Sequence, residues 1–156
     1  MADVVPVPIR SKVVEAAGVL TRDLVRFFEA IRQWLGNTTR QVASVALTAQ
    51  AAAIVTTSIP TNELETGLYR ATYSLRITQA ATSSSSAAVT FGWTTNSVLC
   101  SQAFAAVTGN TTASQSSGAV TVLVDTATPV SYAVAYASAG ATSMTYALDI
   151  RLEVLP

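Results

Sequence analysis

The spacing of apolar residues changes period once along the chain, near residue 40. Between Thr21 and Gly36 the apolar positions Leu24, Phe27, Phe28, Ile31, Trp34 and Leu35 fall at offsets of 0, 3, 4, 7, 10 and 11. Such offsets draw one stripe along an α-helix. Thr21 stands where a hydroxyl can accept from the first unpaired amides, Leu20 and Val25 are placed as a hydrophobic staple, and Gly36 supplies a left-handed stop. Arg22, Arg26, Glu29 and Gln33 fall on the opposite, water-facing side. A lone helix of about 15 residues is marginal in water, so the stripe is expected to be buried against a partner. Its six residues are the candidate anchor.

From Val42 onward the period is 2. In Gly67 to Thr78, Tyr69, Ala71, Tyr73, Leu75 and Ile77 alternate with Arg70, Thr72, Ser74, Arg76 and Thr78, the pattern of a half-buried strand. The alternation returns at Val89/Phe91/Trp93, Val120/Val122/Val124, Val130 to Tyr136 and Met144 to Val154, and less regular strands are expected over 42–49, 51–59 and 97–108. Pieces rich in Ser, Thr, Asn, Gly and Pro separate them, among them Ser83 to Ser86, Thr95-Asn96-Ser97 and Gly109-Asn110-Thr111. About eight strands at this spacing, with no helical pattern among them, predict an all-β antiparallel sandwich. Jelly-roll topology is the expected arrangement.

Before the helix, Val4-Val5-Pro6-Val7-Pro8-Ile9 excludes helix and central strand, because each proline removes a backbone donor and pushes its predecessor toward extended geometry. An extended arm is expected. Charge divides the chain at the same place as the period: residues 1–40 hold ten of the eighteen charged side chains, whereas Ile77 to Leu148 hold only Asp125. Two parts follow, a docking arm with its helix over 1–40 and a β-sandwich over 41–156.

Zero formal net charge speaks against a nucleic-acid binder held by phosphate. The chain has no histidine and one cysteine, which excludes an intrachain disulfide, a Cys/His zinc site and any triad that needs imidazole. A Ser/Lys dyad would need Lys12, the one lysine, and it lies in the arm. No catalytic residue, metal ligand set or cofactor is therefore expected. The start, Met1-Ala2-Asp3, lacks the charged and apolar regions of a signal peptide, and no run reaches the ~18 apolar residues of a membrane span. The expectation is a soluble chain made in the cytosol, with no membrane partner.

The remaining candidates each have a plain alternative. Asp125 is expected to hydrogen-bond its own turn rather than to act on a substrate or calcium, and Glu63/Glu65, spaced for one side of an extended segment, lack a third acidic neighbour. Cys100, between Leu99 and Ser101, is expected as a buried core thiol. Trp93 and Tyr136, which could stack on a sugar, sit at core positions of their strands, and two arginines, Arg70 and Arg76, are too few for an acidic glycan. Asn37-Thr38-Thr39 and Asn110-Thr111-Thr112 match the glycosylation sequon by coincidence.

The outward positions carry the strongest expectation. Ser131, Ala133, Ala135 and Ala137 offer small uncharged side chains where monomers place Lys and Glu, and the edge strands are expected to lack the charges and bulges that block edge-to-edge association. This predicts a symmetric homo-oligomer, the alternative being that such outer faces reflect strand propensity in an alanine-rich proteome.

The arm Val4-Val-Pro-Val-Pro-Ile-Arg10 with the helix Arg26-Phe-Phe-Glu-Ala-Ile-Arg-Gln-Trp-Leu35 resembles the openings of small virion proteins of tailed bacteriophages. Gly67-Leu-Tyr-Arg-Ala-Thr-Tyr-Ser-Leu75, Val89-Thr-Phe-Gly-Trp93 and Met144-Thr-Tyr-Ala-Leu-Asp-Ile-Arg-Leu152 are similar to their β-sandwich modules. The resemblance implies a non-enzymatic virion component, a homotrimer of capsid-decoration or fibre type, docked on another capsid, portal-proximal or tail protein through its N-terminal segment. The alternative is a receptor-binding module that recognises a host glycan through the loops around Ser83 to Ser86 or Gly109 to Thr112.

Overall fold

The computed structural model describes residues 22–36, 39–61 and 64–156. The arm, Lys12, the Thr21 cap, Asn37 and Glu63 lie outside the described residues. Contacts divide the chain into two units, one containing the helix and one running from Arg40 to Leu155.

Helix α1 spans Arg22–Gly36. Leu24, Phe27 and Ile31 are half-buried, while Phe28 is 52% exposed and packs its ring 5.8 Å from that of Phe27. Arg26 and Glu29 are exposed. Trp34 and Leu35 belong to the helix, and their side chains lie outside the described set.

The second unit contains nine strands: β1 (Arg40–Gln50), β2 (Ile54–Ser58), β3 (Gly67–Gln79), β4 (Ser85–Thr95), β5 (Val98–Ala103), β6 (Val107–Thr108), β7 (Gln115–Val124), β8 (Ser131–Ser138) and β9 (Thr145–Val154). They form two antiparallel sheets. The first has the order β1-β9-β3-β7, the second β2-β8-β4-β5, with β6 also on β4. The pairs β1·β9, β2·β8, β3·β7 and β4·β5 are nested about the turn between β4 and β5, as in one long ribbon folded on itself. Rolling that ribbon sets β9 beside β3 and β8 beside β4, which divides it into two facing layers. The all-β sandwich is as the alternation predicts, with β6, two residues long, added to the expected eight strands.

The period-2 positions fill the space between the sheets. Tyr69, Ala71, Tyr73, Leu75 and Ile77 of β3 and Tyr146, Leu148, Ile150 and Leu152 of β9 face Val89 and Phe91 of β4 and Tyr132 and Val134 of β8, all buried. Each large side chain so buried contributes roughly 1.5–3 kcal/mol before ordering costs.

Two expected strands are shortened. The segment over 51–59 becomes extended only at Ile54, after Ala49 has turned to φ 53° and the β1·β9 register has shifted between Leu47 and Gln50. The stretch 97–108 breaks into β5 and β6 where Phe104 turns into the core. Its amide still donates to the Val89 carbonyl (2.9 Å), while its ring lies 4.8 Å from Tyr73 and 6.0 Å from Phe91. Gly118 of β7 makes room for it. A Cβ there would sit 2.7 Å from the Phe104 ring and 2.8 Å from that of Tyr73. Gly118→Ala is expected to cost about 1–3 kcal/mol, read as a lower urea midpoint at unchanged slope.

Tyr146 is fully buried and donates its hydroxyl to the Ala52 carbonyl (2.9 Å). Burial, with smaller repulsion from Tyr136 and Tyr132, pushes its pKa from 10.0 up to about 12. The folded state therefore holds this proton more tightly than the unfolded chain does. The associated stability is complete below about pH 10 and is lost as pH rises toward about 12. In Tyr146→Phe this alkaline loss should shrink, as measured by unfolding between those pH values.

Candidate interaction surface

The two outer faces of the sandwich differ in charge. The first sheet presents Arg70 and Arg76 from β3 and Asp149, Arg151 and Glu153 from β9, all on outward positions. Arg70 lies opposite Glu153 in the register, and its Nε (3.0 Å) and Nη2 (2.6 Å) both donate to Glu153 Oε2. This exposed pair contributes at most about 1 kcal/mol, and it uses one of the two arginines weighed for glycan binding.

The five strands of the second sheet contain no Asp, Glu, Lys or Arg. Its outer face is built from Ser131, Ala133, Ala135 and Ala137 of β8, Ser86, Ala88, Thr90 and Gly92 of β4, and Leu99, Ser101 and Ala103 of β5. A shallow depression of about 210 Å3 lies across it, between Thr56, Thr90, Ala133 and Leu99, with Gly92 on its floor. Leu99 is 80% exposed and Val55, on neighbouring β2, 81%. Desolvating such a face strips water from few strong hydrogen-bonding groups, so it is inexpensive to cover with protein.

The edges correct the sequence-based expectation in part. Strand β1 carries two register shifts and β2 one, which are the bulges the sequence was expected to lack. On the opposite flank β7 keeps unbroken register with β3 from Gln115 to Val124 and contains no charge.

Asp125 also departs from expectation. Its Oδ1 accepts from the Asn96 amide (3.0 Å) and its Oδ2 from the Ser97 amide (2.9 Å). Asn96 and Ser97 both have positive φ, 49° and 62°, the signature of a two-residue type I′ hairpin turn joining β4 to β5. The carboxylate therefore ties the end of β7 to the hairpin of the other sheet, helped by its own amide on the Thr94 carbonyl (3.2 Å) and by the Thr95 hydroxyl on the Leu123 carbonyl. Its own turn is held instead by its backbone carbonyl, which accepts from the Thr128 amide and hydroxyl.

Cys100 is half-buried rather than a core thiol. It lies opposite Trp93 on β5, an edge strand that the first sheet does not fully cover. Trp93 and Tyr136 pack partly buried against the core, and the Tyr136 hydroxyl donates to the Met144 carbonyl (2.6 Å). Glu65 lies beside Arg40 in a depression of about 390 Å3 and accepts from the Tyr69 hydroxyl through its backbone carbonyl. Among the described residues no three His, Cys, Asp or Glu side chains gather as a metal site, and no helix is long and apolar enough to cross a membrane.

The loops weighed for a glycan meet at one end of the sandwich. The Gly109 amide donates to the Ser85 carbonyl (3.1 Å), the Asn110 side-chain amide to the Ser83 carbonyl, and the Ala139 amide to the Ser84 carbonyl (3.0 Å). Much of their polar chemistry thus holds the loops to one another.

No protein-family model and no curated protein matches the chain. Among solved structures, a chain in the structure of infectious bursal disease virus Gt strain is similar, with a TM-score of 0.43 and 10% identity over 76% of this chain and 33% of that one. The present chain spans about a third of that viral chain. Likeness at this level carries no argument about function.

Asp125→Ala leaves two turn amides without their acceptor and is expected to cost about 1–3 kcal/mol in chemical denaturation, with Asp125→Asn costing less because one acceptor remains.

Proposed function

We propose that the protein is a non-enzymatic structural component of a bacteriophage virion, a capsid-decoration or fibre-type homo-oligomer. In this reading the sandwich is a jelly roll that associates with copies of itself as a trimer. The N-terminal segment attaches the assembly to another virion protein through the helix stripe Leu24, Phe27, Phe28, Ile31, Trp34 and Leu35.

The observation that carries the reading is the partition of charge between the two outer faces. All six charged side chains of the sandwich strands, Arg40 of β1 included, lie in the first sheet, and the outer face of the second presents only uncharged residues. A solvated β-face ordinarily carries Lys and Glu, whereas subunit contacts are depleted of charge at their centre. The jelly-roll part is supported by the nesting of β1·β9, β2·β8, β3·β7 and β4·β5 and by the rolled orders β1-β9-β3-β7 and β2-β8-β4-β5.

Ala135 is exposed on the outer face of β8, so a lysine there enters solvent in a monomer and a desolvated contact in an oligomer. Ala135→Lys is expected to lower the mass of the assembly, measured by light scattering, at an unchanged melting temperature of the sandwich. A variant as heavy as wild type counts against burial of this face.

A further inference from the structure

We propose that β7 is a second contact, at which the same strand of another copy adds in antiparallel register and continues the first sheet across a two-fold axis. The inference rests on the self-association reading and specifies a surface separate from the outer face of the second sheet; a two-fold contact of this kind joins two of the proposed trimers into a hexamer.

Hydrogen bonds fix which backbone groups β7 turns outward. The Ser114 carbonyl accepts from Ile77, so residues of even number on β7 bond to β3. The Leu123 carbonyl points the other way, where it accepts from the Thr95 hydroxyl. Ser117, Ala119 and Thr121 share the parity of Leu123, and in an antiparallel strand the amide and carbonyl of each residue point to the same side. All three are exposed, and among the described residues β7 pairs with β3 alone.

The other three edges are blunted, and this one is not. Bulges interrupt β1 and β2, and β5 stops after six residues where Phe104 turns inward. Strand β7 runs ten residues without a shift, a charge or a proline. A long, regular, uncharged edge is a template for another strand.

The occupant that fits is β7 itself. With the axis at Ala119, Ala119 meets its counterpart and Ser117 meets Thr121, so small or hydroxyl side chains oppose each other with neither like charges nor bulk. Three such residues per strand exchange about six backbone hydrogen bonds. A ten-residue strand is roughly 34 Å long, and along a sandwich flank about 20 Å deep it covers on the order of 700 Å2 per copy, near the ~800 Å2 of an ordinary interface.

Ala119→Pro removes an outward amide and no bond to β3, so the fold should tolerate it. Thr121→Lys, on the exposed face, is the second variant. In the full chain, light scattering and residue-resolved hydrogen exchange should show protected amides at Ser117, Ala119 and Thr121 in wild type. Each variant should have a mass at least twofold lower, with the remaining amides exchanging freely and the melting temperature unchanged. A wild-type oligomer whose mass neither variant lowers, with fast exchange at Ser117 and Thr121, overturns the β7 contact and leaves self-association standing. A monomeric wild type overturns both.

Discussion

Antiparallel pairing about the turn at Asn96 and Ser97 is the constraint on which the sandwich depends. Both turn residues take up left-handed backbone geometry, which matches the twist of the flanking strands β4 and β5. Every later pair of the ribbon is nested outside this hairpin, so an error there would displace the register of β3·β7, β2·β8 and β1·β9 in turn. Asp125 binds both turn amides from the far end of β7 and so locks the innermost hairpin to the opposite sheet. The lone charge in a long uncharged stretch is retained where a carboxylate does structural work.

Much of this was legible in the sequence. The alternation in Gly67 to Thr78 reads directly as β3 because one face meets the core and the other meets water, and the 3.6-residue spacing from Leu24 to Leu35 reads directly as α1. The Thr95-Asn96-Ser97 turn was legible as chemistry. The role of Asp125 was not, since its partners are separated from it by 28 and 29 residues and only the rolled topology brings them together. Phe104 was hidden likewise: it interrupts an expected strand because Gly118, distant in sequence, leaves space for its ring. Cys100 misled because its neighbours Leu99 and Val98 look like core, yet they lie on an edge strand and are largely exposed.

The surface divides by physical character. The first sheet's outer face, with its Arg70–Glu153 pair and neighbouring charges, is suited to water. The second sheet's outer face and the β7 edge hold no charge, and the β7 edge presents backbone amides and carbonyls that another strand can pair. Partitioning of this kind leaves fold stability to the buried tyrosines, valines and leucines and, in the proposed assembly, leaves association to small side chains and backbone groups.

The most direct test of this account is the absolute mass of the full-length wild-type chain in solution across a range of low micromolar concentrations. The account predicts a mass of at least twice 16.2 kDa that persists on dilution. A mass of 16.2 kDa at every concentration would contradict it.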